Sequence, residues 1–360
     1  MPFSAPVARQ KEEPMSIRWR DAMEQALYGP DGFFVSGTGP ASHFRTSVHV
    51  SPVFAAALHR LVTTVDAALG HPASIDVVDV GAGRGELLRA IHASIAGATD
   101  RPTTTSLVHR VRLTAVERAP RPADLPKEIA WRREIPVGVA GVLLATEWLD
   151  NVALDLAVPT PAGWRYLLVD PATGNETEGA PVDREDADWL ARWWSSAAGD
   201  DLESGPGTRA EIGRARDDAW ADAVGRLDRG LAVTVDYGHL RQNRPVAGTL
   251  TGYRNGRQVP PVPDGSCDVT AHVAVDSVAD AGRRVARFPY TLVTQRAALR
   301  ALGADGRRPP LDRAATDPVG YLRALSAAST VAELIDPAGL GGHWWLLQPA
   351  GVTLDPLVAP

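Results

Sequence analysis

Residues 75–91 read IDVVDVGAGRGELLRAI, and the hydrophobic period changes at the glycines. Ile75, Val77, Val78 and Val80 form a nearly continuous β-branched run, the pattern of a strand buried on both faces of a parallel sheet. Leu87, Leu88 and Ile91 then recur at helical spacing. Between them Gly81, Gly83 and Gly85 supply a tight turn without Cβ atoms, where backbone N–H groups can approach a ligand at a helix N-terminus. The segment predicts a pocket for a nucleotide-type cofactor.

The spacing favours one cofactor over another. A dinucleotide fingerprint is G-x-G-x-x-G, with the third glycine near a pyrophosphate. Here the pattern is G-x-G-x-G, and Glu86 stands at the third fingerprint position, where its carboxylate would oppose phosphate charge. S-adenosylmethionine (SAM) carries no phosphate, so that objection does not touch it, and Asp79 is placed to orient the amino group of its methionine part. The next strand candidate, VRLTAVE (111–117), ends in Glu117, at the edge where a doubly wound sheet hydrogen-bonds a ribose diol. Its distance from the glycines exceeds the usual roughly 20 residues, because RPTTTS (101–106) reads as an inserted loop. A chance glycine turn followed by a surface Glu is the competing explanation; the strand–turn–helix context favours the cofactor.

With 360 residues, 44% of them hydrophobic, the chain is long enough for one large domain with insertions or a domain plus a smaller lobe. A net charge of -6, spread along the chain, advertises no surface for nucleic acid or anionic membrane. The single cysteine, Cys267, excludes an intrachain disulfide framework or thiolate metal cluster and fits a reducing cytoplasm. The first residues lack an apolar leader, and the longest apolar run, near 139–145, is far shorter than a membrane span, so a soluble protein is expected. Nine histidines show no metal-ligand spacing, and no metal is expected.

Along the chain, SIRWRDAMEQALY from Ser16 reads as an amphipathic helix capped by Ser16, and Ser51 and Pro52 read as N-cap and N1 of a second. Residues 1–70 are expected to be a tail and helical lid, and residues 71–360 a SAM-binding α/β domain with excursions at about 170–207 and 239–287. Strand–helix alternation from Ile75 predicts a doubly wound, mostly parallel sheet. Its fourth strand, GVAGVLLATE, delivers Glu147 to the ligand-binding edge. A strand over 164–169, a Trp-bearing helix (DADWLARWW), a strand and helix within 208–227, a strand from Gly230 to Asp236, helices near 294–302 and 319–335 and a final strand HWWLLQ complete the reading. Residues 239–268 read as a functional loop.

Four stretches, in order, resemble the MidA-type family of SAM-dependent methyltransferases, whose mitochondrial members help assemble respiratory complex I. They are YGPDGFF with HFRTSVHVSPVF (28–34 and 43–54), DVGAGRGELL (79–88), TEWLDNVAL (146–154), and the pair VDYG and DVTAHV (235–238 and 268–273). The resemblance runs from about Tyr28 to Gln295 and implies a class I, Rossmann-like methyltransferase fold that dimethylates a protein arginine symmetrically. The chain departs from the family pattern at Thr146, at Ala153, and at Val48 and His49, where the family has a proline and a carboxylate.

Methyl transfer from a sulfonium is an in-line displacement, so a catalyst mainly aligns the nucleophile and matches the charge change. A guanidinium acceptor is a cation that paired carboxylates can hold by its N–H groups. Glu147 and Asp150, three residues apart after the fourth strand, are the candidates for that pair, with a capping or surface role as the alternative. Asp236, at the end of a buried strand on the active edge, and His272, which could take a proton, are secondary candidates, with a structural role as the alternative for His272. Trp148 and the cluster Trp189, Trp193 and Trp194 are expected to pack rather than to cage a substrate. The partner is then a protein substrate or a small molecule, with homodimerisation left open. A small-molecule methyltransferase, a non-catalytic assembly protein that keeps the cofactor turn and, last, a nicotinamide-linked oxidoreductase are the alternatives.

Overall fold

Seven strands build the central sheet of the computed structural model, which describes residues 16–35, 52–98, 106–194, 207–304 and 306–354. In chain order they are β1 (Ile75–Val80), β2 (Val111–Val116), β3 (Ile129–Arg132), β4 (Val139–Thr146), β5 (Leu227–Asp236), β6 (Thr291–Thr294) and β7 (Trp344–Ala350). Their order in space is β3-β2-β1-β4-β5-β7-β6. The first five are mutually parallel, and β7 runs antiparallel to both its neighbours. The chain therefore leaves β1 toward one edge and returns through β4 toward the other. That reversal opens a crevice at the carboxyl ends of β1 and β4, the usual ligand position of such sheets.

The β-branched run of β1 is buried on both faces as its composition demands: Ile75 and Val77 enter one apolar cluster, Val78 and Val80 the other. Helices α2 (Pro52–Ala68) and α3 (Glu86–Gly97) cover the first face through Phe54, Leu58 and Leu61 and through Leu88 and Ile91. Each such fully buried side chain contributes roughly 1.5–3 kcal/mol of transfer free energy. The second face is covered by Trp220 and Val278, from two helices described below. The expected lid helices divide: α2 belongs to this covering layer, while Glu24 and Tyr28 of α1 (Trp19–Tyr28) line the crevice.

A second lobe grows from the segments expected to be excursions. Residues Asp155–Thr160, Gly163–Val169, Glu176–Pro181 and Ala210–Ile212 form an antiparallel sheet that Ile17–Arg18 joins at one edge. Trp19, Met23 and Leu27 of α1 pack against Leu156 and Val169 of that sheet. Helix α4 (Arg184–Trp193) packs on it through Trp189 and Leu190, and α5 (Arg214–Gly225) and α6 (Val275–Ala286) return the chain to the main sheet. Helices α7 (Gln295–Ala301) and α8 (Pro318–Leu334) follow.

Several expectations are corrected here. Ser16 does not cap α1: Ile17 and Arg18 pair as a strand, and Arg18, the N-cap position, fastens its guanidinium to Asp155 at 3.1 and 2.5 Å. A tertiary strand pair has outcompeted a local cap. Residues 239–268 are not all loop, because Thr251–Arg254, Arg257–Val259 and Asp268–Thr270 make a three-stranded sheet. Its hairpin turns at Asn255 and Gly256, both at positive φ, an Asn-Gly signal typical of a tight hairpin. Likewise Glu176–Pro181, inside the expected acidic loop, is a strand, and α6 was not anticipated. Ser51, Thr46, Ser47, Val48 and His49 lie outside the described residues.

Candidate active site at the carboxyl edge of the sheet

The turn after β1 is held open by its neighbours. Gly81 and Ala82 donate their N–H groups to the Val116 carbonyl at 3.0 and 3.2 Å, tying the turn to the end of β2. Gly83 sits at φ +56°, and a Cβ there would meet only a Glu86 oxygen, 3.7 Å away, so its open side faces the crevice. Gly81 at φ +71° also makes room for Trp148, whose ring would lie 2.8 Å from a Cβ. Gly85 is different: it is buried as the N-cap of α3, beneath Leu125, and packs the turn rather than lining the cavity.

The turn does not present a phosphate cradle. Gly83 N–H donates to Glu117 Oε2 at 3.0 Å, and Arg84 N–H donates to Glu86 Oε2 at 3.0 Å. Carboxylates already engage these donors, so a ligand meets negative charge where a pyrophosphate would need N–H groups. Glu117 holds its place through its second oxygen, which accepts from Arg118 N at 2.6 Å and Ala119 N at 3.1 Å. Asp79 is buried beside them. Burial first, then Glu117 and Glu86, push its carboxyl up to about 8.

These groups line a cavity of about 1180 Å³ that continues past the end of β4. There Glu147 takes φ +50°, rare for a residue with a side chain, and is pinned by its N–H to the Val235 carbonyl at 2.8 Å. A single 3-10 turn follows, Leu149–Asn151, so Asp150 lies within it and is not its cap. Asp236, buried at the end of β5, accepts from the N–H groups of Leu149 and Asp150 at 3.1 and 3.2 Å. It braces the turn from behind the cavity wall, which corrects its reading as a direct participant.

Asp150 faces the cavity from this turn. One carboxyl oxygen accepts from the Tyr237 hydroxyl and, at 2.8 Å, from Thr270 Oγ1; the other is buried without a hydrogen-bond partner among the described residues. Burial raises its pKa against the pull of those two bonds. Asp268 accepts from Asn151 Nδ2 at 2.9 Å, and burial, then the nearby Asp150, raise it well above the ordinary range. His272 shares the cavity wall, its ring edge-on to Tyr237 at 5.1 Å. Burial and then Arg216 lower its pKa, which keeps the imidazole neutral and able to accept a proton.

Thus Asp79, Gly81, Gly83, Glu117, Glu147, Asp150 and His272 all border one cavity, whereas Gly85 does not. Trp148 also lines it. Trp189 and Trp194 are buried in the second lobe, where the Trp189 indole donates to Asp217 at 2.8 Å and Ser277 at 3.1 Å. Reading the sequence passed over Tyr237, Asp268 and Thr270, although all three stand inside the quoted VDYG and DVTAHV stretches. Among the described residues no group of three or more metal-ligating side chains comes together, and no helix is long and apolar enough to cross a membrane.

Residues 58–291 match the model of the family described as "Putative S-adenosyl-L-methionine-dependent methyltransferase". The chain belongs to this family. The methyltransferase shares its fold with a Burkholderia thailandensis protein crystallised with S-adenosyl-homocysteine, at a TM-score of 0.72 and 23% identity over 94% of this chain and 89% of that one. A native crystal structure of an uncharacterized protein from the same organism aligns with a TM-score of 0.70 and 23% identity, over 94% and 88% of the two chains. No curated protein matches the chain by sequence.

SAM is the cofactor of this methyltransferase, and the residues fit it. Its ammonium and sulfonium charges suit a turn lined by Asp79, Glu86 and Glu117, and the open side of Gly83 leaves space for it. One consequence is a pH dependence. A cation binds the ionised form of Asp79, whose pKa near 8 leaves most of it protonated at neutral pH. SAM affinity carried by such a pair rises from pH 6 toward 8, by up to roughly tenfold per unit, and falls above as the α-amino group of SAM loses its own proton. Calorimetric titrations at pH 6, 7 and 8 read this directly; Asp79→Asn flattens the profile, and a flat wild-type profile would exclude Asp79 as the titrating partner.

Proposed function

We propose that this methyltransferase has the class I, doubly wound arrangement and transfers its methyl group to a protein side chain, the guanidinium of arginine, in the manner of the MidA-type enzymes it resembles. The strand order β3-β2-β1-β4-β5-β7-β6, with helices on both faces and a reversed β7, supports the class I reading. The observation that carries the acceptor reading is the acidic end of the cavity. Asp150 and Asp268 are buried there, both raised in pKa, with Glu147 beside them on the cavity wall. Carboxyls held in that state gain most from a cation, and a planar guanidinium satisfies several acceptors at once.

In this reading SAM, when bound, supplies an electrophilic methyl on a positively charged sulfur. Glu147 and Asp150 hold the guanidinium N–H groups, fix its plane and localise a lone pair on the nitrogen facing the methyl. As the N–C bond forms, the C–S bond breaks and sulfur keeps the electron pair. The attacking nitrogen then gives up one proton, for which the neutral imidazole of His272 is the nearby acceptor. Tyr237 and Thr270 keep Asp150 in position throughout.

Incubation with methyl-labelled SAM and fractionated cell extract tests the proposal. Label is expected in protein, recovered as methylated arginine after acid hydrolysis. Label confined to small molecules would overturn the protein acceptor and favour a small-molecule substrate.

A further inference from the structure

Arg216 is a cation that the mechanism above leaves unused, yet it is 1% exposed and sits under the acidic end of the cavity. It projects from the first turn of α5, and each of its donors ends on a backbone carbonyl. Nε donates to Val152 at 3.0 Å, Nη2 to Asp150 at 2.5 Å, and Nη1 to Ala271 and His272 at 2.9 and 3.0 Å. Two separate segments are thereby joined through one planar group. The first, 150–152, carries Asp150 and Asn151; the second, 268–272, carries Asp268, Thr270 and His272.

The other ties between these segments are Thr270 Oγ1 to Asp150, Asn151 to Asp268, the Ala271 N–H to the Asp150 carbonyl at 3.4 Å, and the Tyr237 hydroxyl, which bonds both Asp150 and Thr270. The charges that compensate the buried guanidinium are Asp150, Glu211 and Asp236. Glu211 in turn accepts from Leu250 N–H at 2.7 Å and from both Thr249 donors, and Thr249 Oγ1 receives the His272 N–H at 2.8 Å. A buried charge is costly unless its surroundings are arranged around it. Here the arrangement is a clamp on the backbone of the proposed acceptor site.

We propose that Arg216 is a positioning residue for methyl transfer: its rigid fork sets the distance between the loop bearing Asp150 and the segment bearing Asp268 and His272. This rests on the acceptor reading proposed above. Lysine keeps the charge, but its ammonium cannot span four carbonyls in one plane, and methionine keeps only the volume.

Arg216→Lys and Arg216→Met are compared by hydrogen exchange, SAM titration and label transfer to cell extract. Exchange is expected to rise about tenfold within 149–153 and 268–274 while the glycine turn 81–85 stays protected. SAM affinity holds within about twofold, and transfer falls about 10-fold for lysine and about 100-fold for methionine, as misplacement of a reacting group predicts. Unchanged exchange in both segments would overturn the proposal. So would protection lost evenly over the whole sheet in Arg216→Lys, which would make Arg216 a general core residue. If the wild type labels no extract component, the acceptor reading fails, while exchange and SAM titration still decide whether Arg216 clamps the two segments.

Discussion

Gly83→Val abolishes SAM binding while leaving a folded protein. Residue 83 sits at φ +56°, where a β-branched side chain is strained by of order 1–3 kcal/mol. The strain falls on a turn that is anchored independently by Val116 and Glu117, so the sheet survives it. The added methyls, by contrast, project into the cavity, since only Glu86 lies within 4 Å of the Cβ position. Calorimetry should detect no SAM binding, with a melting temperature lowered by a few degrees. Gly83→Ala separates the two effects, because it keeps most of the backbone strain but fills less space; weakened rather than absent binding is expected. Wild-type affinity in the valine variant would remove the turn from the cofactor site.

How much of this was readable in advance depends on the range over which each feature is determined. The β1 strand, its glycine turn and α3 form one continuous segment, and the switch of period within 75–91 is a local signal. Glu117 and Glu147 were legible for a related reason: each follows directly on a parallel strand, and such strands deliver their last residues to the ligand edge. Asp150 was found by the same logic, but its partners were not. Tyr237 is 87 residues away and Thr270 is 120, and nothing local announces that their hydroxyls meet one carboxylate. Arg216 was invisible likewise, since an arginine among charged neighbours such as Arg214, Asp217 and Asp218 reads as solvated surface until tertiary packing buries it.

The fold's misread parts have other causes. Strands of three or four residues, such as Arg257–Val259, are too short to establish an alternation, although the Asn255–Gly256 turn marked the hairpin. Helix α6 packs tightly on α5: a Cβ at Gly282 would come within 2.6 Å of the Trp220 indole nitrogen. Its apolar period is nevertheless written in the sequence, with Val275, Val278, Ala279 and Gly282 recurring at helical spacing. The sequence places Glu86 where it opposes phosphate, and in the structure its carboxylate accepts from the Arg84 N–H of the turn, which leaves a site suited to a cation.

Glu147→Gln lowers methyl transfer by about 100-fold or more and leaves SAM affinity within about twofold. The substitution keeps the length of the side chain and the backbone N–H that holds residue 147 to Val235, so the unusual φ of +50° is retained. What it removes is one negative charge beside Asp150 and Asp236, the charge that a cationic acceptor would meet on leaving solvent. A neutral amide still accepts one hydrogen bond, but its NH2 group opposes a guanidinium donor at the other position. The loss therefore falls on the transfer step and on acceptor binding. Removing Glu147 also relieves the repulsion that helps raise Asp236, so that buried carboxyl titrates at a lower pH in the variant. Retained turnover would exclude Glu147 as an acceptor clamp and favour a neutral acceptor. A loss of SAM affinity equal to the loss of transfer would instead place Glu147 against the cofactor, and the acceptor would then be held from the Asp150, Asp268 and Tyr237 side alone.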